Sequence, residues 1–390
     1  MTAKKSDMTL ENNSLKQLTY EFQGQTITKN WVTENSFSLP KKVIVIDDSF
    51  SADRYTSLAS QGTSFVWKGD YHNAKQLLQA VQRRIKKNAP VSQATDPQTM
   101  AKEFYRHRQH QAHKAQLLSR LLVCVEADLS IQLPRAPDLS QAISEATVLP
   151  PGDFLISLRE LQGFVGAHEW RKKGVAIAAL GGKKIHAYYG VFSPVRGEYL
   201  DLVASAPLPV PTKVAFDIGT GAGVISAVLA HRGVQKIIAT DMDDRALQCA
   251  SSNIKNLGFD KQVTIEKKNL FPEGKADLVV CNPPWLPAKP TSAIERAVYD
   301  EDSGMLKAFL NGVGNHLNDN GEAWLIISDL AEHLGLRGPN DLTSWNAQAK
   351  LEVIDCMKIQ PRHSKANDED DPLHSARAKE ITMLWRLKKS

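Results

Sequence analysis

Three short stretches of this chain hold residues able to do chemistry together. The first is DIGTGAG at 217–223. Gly219 and Gly221 allow a tight turn and a close approach of backbone to a ligand, and Gly223 lets a helix start near the end of a strand. The spacing is GxGxG, since the residue three after Gly221 is Val224, whereas a dinucleotide fingerprint expects GxGxxG. Asp217, an acid just ahead of the glycines, would repel a phosphate and suits a ligand with a positive amine. The second stretch, KIIATD, ends at Asp241, where a carboxylate can accept hydrogen bonds from both hydroxyls of a ribose. A ribose joined to a cationic end describes S-adenosyl-L-methionine. The third stretch is CNPPWLP at 281–287, directly after the apolar run ADLVV. Its two prolines fix φ and stiffen the backbone in front of Asn282.

These residues need a scaffold, and the second half of the chain supplies its pattern. KVAFDIG reads as a strand, AGVISAVLAHRG as a helix ended by Gly233, KIIATD as a strand, and DRALQCASSNIKNLG as a helix ended by Gly258. QVTIEKKN, ADLVVCN, EAWLIISDL, LEVIDCMKI and ITMLWRLKK read as further strands, with a helix expected at 304–317. Such alternation predicts a mostly parallel sheet with both faces covered. KKIHAYYGVF reads as a strand leading toward the first glycine motif, behind a short helical piece, SLRELQGFVGAHEWRKKG. Further upstream, KKVIVIDD and TSFVWKG read as strands, and NAKQLLQAVQRRIKK places Leu77, Leu78, Val81 and Ile85 at helical spacing. Asp96 reads as the N-cap of a second helix. Prolines at 134, 137, 150 and 151 with Gly152 predict a boundary near 150. The expected division is a polar arm at 1–38, an α/β recognition domain at 39–150, a connecting segment at 151–187 and a catalytic domain at 188–390.

FDIGTGAGVIS, ATDMDDRAL and NPPW together resemble class I S-adenosylmethionine-dependent methyltransferases, in particular the small-domain amino-methyltransferases. The resemblance covers about 188–390 and implies a Rossmann-like seven-stranded α/β domain behind a smaller α/β domain. It implies that Asp217 and the loop of Gly219, Thr220, Gly221 and Gly223 hold the methionine part. Asp241, followed by Met242, would take the ribose, and Asn269 with Leu270 the adenine. Many relatives carry Asp where this chain has Asn269; an amide still bonds the adenine edge. YYGVFSP, with Phe192, is similar to the segment that closes over the cofactor. In that family the Asn282 side-chain oxygen and the Pro283 carbonyl accept the two N–H bonds of a planar target nitrogen, and Trp285 stacks on the target group. The implied activity is N-methylation of an amide or exocyclic amine in a macromolecule. RNA is favoured, at adenine N6 or guanine N2, and a protein glutamine is the alternative. A nicotinamide-dependent oxidoreductase fits the glycine spacing less well, and a non-catalytic binding module fits the intact Asp217, Asp241 and Asn282 less well.

Composition bounds these readings. No run of the chain reaches the ~18 uninterrupted apolar residues of a membrane span. The N-terminus lacks the apolar core of a secretory signal, so a cytoplasmic setting is expected. Cys124, Cys249, Cys281 and Cys356 form no CxxC pair, which supports neither a disulfide framework nor a zinc site. His107, His110 and His113 share a helix without a completing Cys, Asp or Glu, so no metal is expected. Residues 66–120 hold eleven Lys or Arg against Asp70, Asp96 and Glu103, a local balance of +8 in a chain of net charge +5. Such a stretch suits RNA backbone contacts, and Lys172 and Lys173 after Trp170 could extend it. The expected partner is RNA or a ribosome-associated protein.

Overall fold

LTYEFQGQTITKNW alternates apolar and polar residues around Gln-Gly, and it folds as a hairpin of β1 (Gln17–Phe22) and β2 (Gln25–Trp31). Gln23 and Gly24 take φ of 51° and 76°, the pair of positive values that a tight hairpin turn requires. In the computed structural model the described residues are 16–35, 37–87, 96–195, 197–292, 294–361, 368 and 371–390. The next elements are β3 (Lys42–Ile46), α1 (Ala52–Ser60), β4 (Thr63–Trp67), α2 (Tyr71–Lys87), α3 (Pro97–Leu118), β5 (Leu121–Val125), α4 (Ser140–Ala146) and β6 (Phe154–Ser157). Six strands form one mixed sheet in the order β1-β2-β6-β5-β4-β3.

Two features of this sheet differ from the expected division. The hairpin lies within the stretch read as a polar arm, where burial of Leu18 and Tyr20 on one face makes alternation decisive. Residues 1–15 of that arm lie outside the described residues. Strand β6 lies past the break expected near 150, and the Pro-Gly stretch is only the turn before it. All four β6 residues are buried because β2 and β5 flank the strand.

The chain continues with α5 (Leu158–Lys173), β7 (Val175–Ala176), β8 (Lys184–Ile185), α6 (Glu198–Ser205), β9 (Val214–Ile218), α7 (Val224–His231), β10 (Lys236–Asp241), α8 (Asp244–Leu257), β11 (Val263–Lys267) and β12 (Ala276–Cys281). It ends with α9 (Gly304–Val313), β13 (Leu317–Ser328), α10 (Leu330–His333), α11 (Asp341–Gln348), β14 (Leu351–Ile359), α12 (His374–Arg377) and β15 (Thr382–Lys389). Seven of these strands form a second sheet, β11-β10-β9-β12-β13-β15-β14. It is parallel from β11 to β13, and β15 runs antiparallel to both of its neighbours. KKIHAYYGVF yields only the two-residue strand β8; its tyrosines lie on the irregular stretch that leads to α6.

The β12 sequence shows why an unbroken apolar run is needed here. Leu278 and Val280 enter one core, Val279 and Cys281 the core on the other face, so both faces of the strand are covered. The described residues divide into two units, 16–87 with 113–163 and 96–112 with 164–390. The first part of α3 thus belongs with the second sheet. Of the acidic run at 368–371, residues 369 and 370 lie outside the described residues.

Candidate functional site

Strand order places the site. β9 is flanked by β10 on one side and β12 on the other, so the chain reverses direction across the sheet at β9. A crevice at the carboxyl ends of parallel strands at such a reversal is where doubly wound sheets take ligands. Register makes the placement specific: Ile218 pairs with Thr240 and with Cys281. Gly219, Asp241 and Asn282 therefore follow one another across the same rim, on three adjacent parallel strands.

The glycine loop is braced from beneath. Gly223 is the N-cap of α7 at φ 80° and has no side chain to cap the helix. Asp217 supplies the cap from the strand below, its Oδ2 accepting from the Ser226 amide at 3.0 Å, the Ser226 hydroxyl at 2.6 Å and the Thr220 hydroxyl at 2.7 Å. A carboxylate near a helix N-terminus is favourable for the same reason. Asp217 is fully buried, and its Oδ1 has no hydrogen-bond partner among the described residues. Burial raises its pKa, opposed by the bonds from Ser226 and Thr220. The acid thus holds the loop and leaves one oxygen that no described residue satisfies.

Each glycine has its own reason. A Cβ on Gly223 would lie 3.1 Å from the Ala250 Cα, so that position is needed for helix contact. On Gly219 it would meet the Met305 methyl at 2.9 Å. On Gly221, at φ 54°, it would meet nothing within 4 Å, and the backbone there is open to a ligand. Asp241 joins the loop to the next strand end, accepting from the Gly221 amide at 3.0 Å through Oδ2 and from the Asp243 amide at 3.0 Å through Oδ1. Met242 is 59% exposed beside it. Leu270 takes φ 69°, and its carbonyl accepts from the Thr240 hydroxyl at 2.6 Å, while Asn269 is exposed. Phe192 is part-exposed on the stretch between β8 and α6.

At the third strand end, the Trp285 indole N–H donates to Asn282 Oδ1 at 2.9 Å. Indole N–H only donates, so this contact fixes which end of the Asn282 amide is the oxygen and leaves that oxygen one further lone pair. Trp285 is partly buried and packs against the cores on both faces of the sheet. Cys281 is fully buried, and burial pushes its thiol well above the usual range, so it is an inert strand residue.

The loop after the prolines is held by a part of the chain far away in sequence. Arg108 on α3 donates to the Lys289 carbonyl at 2.8 Å and to Glu295 at 3.1 Å, and lies 3.9 Å from the Tyr299 ring centroid. Met100 and Phe104 from the same helix share a buried cluster with Leu286, Ala288 and Leu330. Tyr299 bridges to Leu286, and Asp300 accepts from the Met305 and Leu306 amides at the start of α9.

Sequence reasoning missed several of these supports. Ser226 was marked by being polar within VISAVLA. Asn253 was marked by sharing the buried α8 face with Cys249 and Ala250. It donates to the Ala222 carbonyl at 3.0 Å and accepts from the His186 amide at 2.9 Å, which ties the segment before α6 to the glycine loop. Arg108 lies in the basic stretch read as an RNA backbone contact, and nothing local marked it as a support of this loop. Among the described residues, no group of three or more His, Cys, Asp or Glu is placed to hold a metal ion. No described helix is long and apolar enough to cross a membrane.

Residues 184–336 match the family model described as Methyltransferase small domain. The chain is 27% identical over 132 residues to a tRNA1(Val) (adenine(37)-N6)-methyltransferase of Cytophaga hutchinsonii, covering 32% of this chain and 56% of that one. It is 27% identical over 164 residues to a Methanocaldococcus jannaschii protein named "Putative protein N5-glutamine methyltransferase MJ0928", covering 40% and 80%. A ribosomal protein L11 methyltransferase of Pelotomaculum thermopropionicum is 36% identical over 74 residues, covering 18% and 24%. The chain thus spans just over half the length of the first relative and about a quarter of the third.

Proposed function

We infer that this chain, whose residues 184–336 carry a methyltransferase small domain, is an S-adenosyl-L-methionine-dependent N-methyltransferase acting on a planar nitrogen of a macromolecule in the cytoplasm. The observation that carries the reading is the alignment of the glycine loop, Asp241 and Asn282 along one rim of the seven-stranded sheet. The residues fit the cofactor: Gly221 leaves the backbone open, Asp217 keeps an unsatisfied oxygen beneath the loop, and Asp241 carries a carboxylate able to take ribose hydroxyls. When bound, the cofactor supplies an electrophilic sulfonium methyl group.

The chain's own contribution is to the acceptor. The lone pair of an amide or aromatic amine is delocalised, which makes that nitrogen a poor nucleophile. Asn282 Oδ1 and the Pro283 carbonyl accept its two N–H bonds, turning both protons aside and localising the lone pair. The prolines hold φ, and the indole of Trp285 holds the amide, so the acceptors are set before the target arrives. Positioning does most of the work, and no strong base is required.

RNA is the favoured substrate, supported by the excess of positive charge in residues 66–120 and by the tRNA adenine-N6 methyltransferase among the relatives. Protein glutamine is the second reading, supported by the longer match to the protein named as a glutamine methyltransferase. The test is mass spectrometry of RNA and of ribosome-associated proteins from cells with and without the gene. A methylated base or glutamine that disappears with the gene and returns on addition of purified protein supports the reading. Absence of any cofactor uptake by the folded protein in calorimetry would overturn it.

A further inference from the structure

The end of α5 and the hairpin β7–β8 bring together a set of residues that the candidate site does not use. Trp170, in the last turn of α5, is 50% exposed. Arg171, Lys172 and Lys173 follow it, and Lys183 and Lys184 return on the hairpin, against the single acid Glu169 in this stretch. Lys173 Nζ lies 5.2 Å from the Trp170 ring centroid, and Lys184 Nζ donates to the Lys173 carbonyl at 2.9 Å. Glu169 lies 3.5 Å from Lys172 on the surface, too exposed to neutralise the cluster.

A helix C-terminus attracts cations, which accounts for Lys184 on its carbonyl. It does not account for an indole left half in water beside them, nor for Lys183, whose ammonium lies over the Phe259 ring at 5.6 Å. Lysines around an exposed aromatic face are what a single-stranded nucleic acid requires: cations for phosphates and a ring on which a base can stack.

The cluster is also fixed to the candidate site. His186 Nδ1 lies 2.6 Å from the Arg171 carbonyl, and the Arg171 guanidinium lies 3.9 Å over the Tyr188 ring. A Cβ on Gly174 would sit 2.7 Å from the His186 ring, so the helix end closes tightly on that imidazole. The His186 amide in turn donates to Asn253, which holds the glycine loop through Ala222.

We propose that the face formed by Trp170, Lys173, Lys183 and Lys184 docks a single-stranded segment of RNA, with a base on Trp170 and phosphates on the lysines. The proposal rests on the RNA branch of the function given above, and it assigns the strand flanking the target to this face.

The test uses the full chain and a fluorescein-labelled single-stranded oligoribonucleotide of about 12 nucleotides, titrated by anisotropy at several salt concentrations. The double variant Lys173→Glu with Lys183→Glu should weaken binding at least tenfold at low salt and flatten the slope of log affinity against log salt by about 1.4, the loss of two phosphate contacts. Trp170→Ala should weaken binding about tenfold with the slope unchanged, and Trp170→Phe should restore most of it. All four side chains are on the surface, and far-UV circular dichroism checks that the variants fold. Affinity and slope equal to wild type in both the charge-reversed and the Trp170→Ala proteins would overturn the proposal. So would wild-type binding to poly-glutamate but not to the oligonucleotide. The cofactor pocket is judged separately, by calorimetry with S-adenosylhomocysteine, so loss of one reading does not mask the other.

Discussion

Both units send a strand into a helix through a short turn, and the two turns are finished in opposite ways. In the first unit β3 passes to α1 through Asp47–Ser51. Asp47 accepts from the Ser49 amide at 3.0 Å and its hydroxyl at 2.7 Å, and Ser51 caps α1 by accepting from the Arg54 amide at 3.3 Å. Asp48 fills the gap toward β4, accepting from the Asp70 amide and from Asn73, both at 3.0 Å. A Cβ on Gly69 would lie 2.6 Å from the Asp48 carboxylate. In the second unit β9 passes to α7 through three glycines, and the capping acid lies under the turn rather than in it. One turn consumes its own hydrogen-bonding groups. The other keeps its open side free at Gly221, as the proposed cofactor role requires.

The strongest way to break this contrast is at the acceptor. Asn282→Ala should lower single-turnover methyl transfer about a thousandfold, as loss of a preorganised polar partner does. Its affinity for S-adenosylhomocysteine should stay at the wild-type level, and retained turnover would refute the assigned role.

A buried carboxylate in the first unit gives the next largest effect. Burial pushes Glu160 up to about 7, opposed by bonds from the Glu34 amide, Thr33 and Asn35. A folded pKa above the unfolded value means that its contribution to stability is fully present below about pH 4.5 and is lost as pH rises through about 7. In urea titrations at pH 4 and pH 8, the stability difference between wild type and Glu160→Gln should shift by about 3 kcal/mol in favour of the variant at the higher pH. A pH-independent difference would contradict this.

Asp241→Ala removes the carboxylate at the open turn and should weaken cofactor binding by about one to two powers of ten in calorimetry. Unchanged affinity would rule out the ribose role. Arg108→Ala should lower kcat about tenfold through a misplaced acceptor loop, with cofactor affinity unchanged. Equal losses in cofactor affinity and kcat would instead indicate general loosening. Smallest of all, Ser51→Ala at the closed turn should cost about 1 kcal/mol of stability in denaturant without altering cofactor binding.

The second sheet was legible because its signals are local. Strands β9, β10 and β12 are short, mostly apolar runs that end at Gly219, Asp241 and Asn282-Pro283, and the chemistry proposed for the site sits at those ends. The first unit was harder to read because its order depends on pairing at a distance. β2 and β6 meet across more than a hundred residues of chain, and neither the alternation of β1–β2 nor the run FLIS states its partner. The same holds within the site. Asp217, the glycines, Asp241 and Asn282 are written in motifs, whereas Arg108 reaches Lys289 across 181 residues and has no local signature. The sequence also placed Asp217 against the ligand's amine; the geometry gives it the earlier task of bracing the turn.

The bond from Trp285 to Asn282, which leaves the amide oxygen one lone pair, has a consequence for the proposed role. In that role an amino group enters with two hydrogens, one for the amide oxygen and one for the Pro283 carbonyl, and after one transfer only one hydrogen remains. The methylated product then leaves an acceptor bare in a stiff pocket, which loosens its hold and opposes a second round. Monomethylation would thus follow from counting protons rather than from any steric gate.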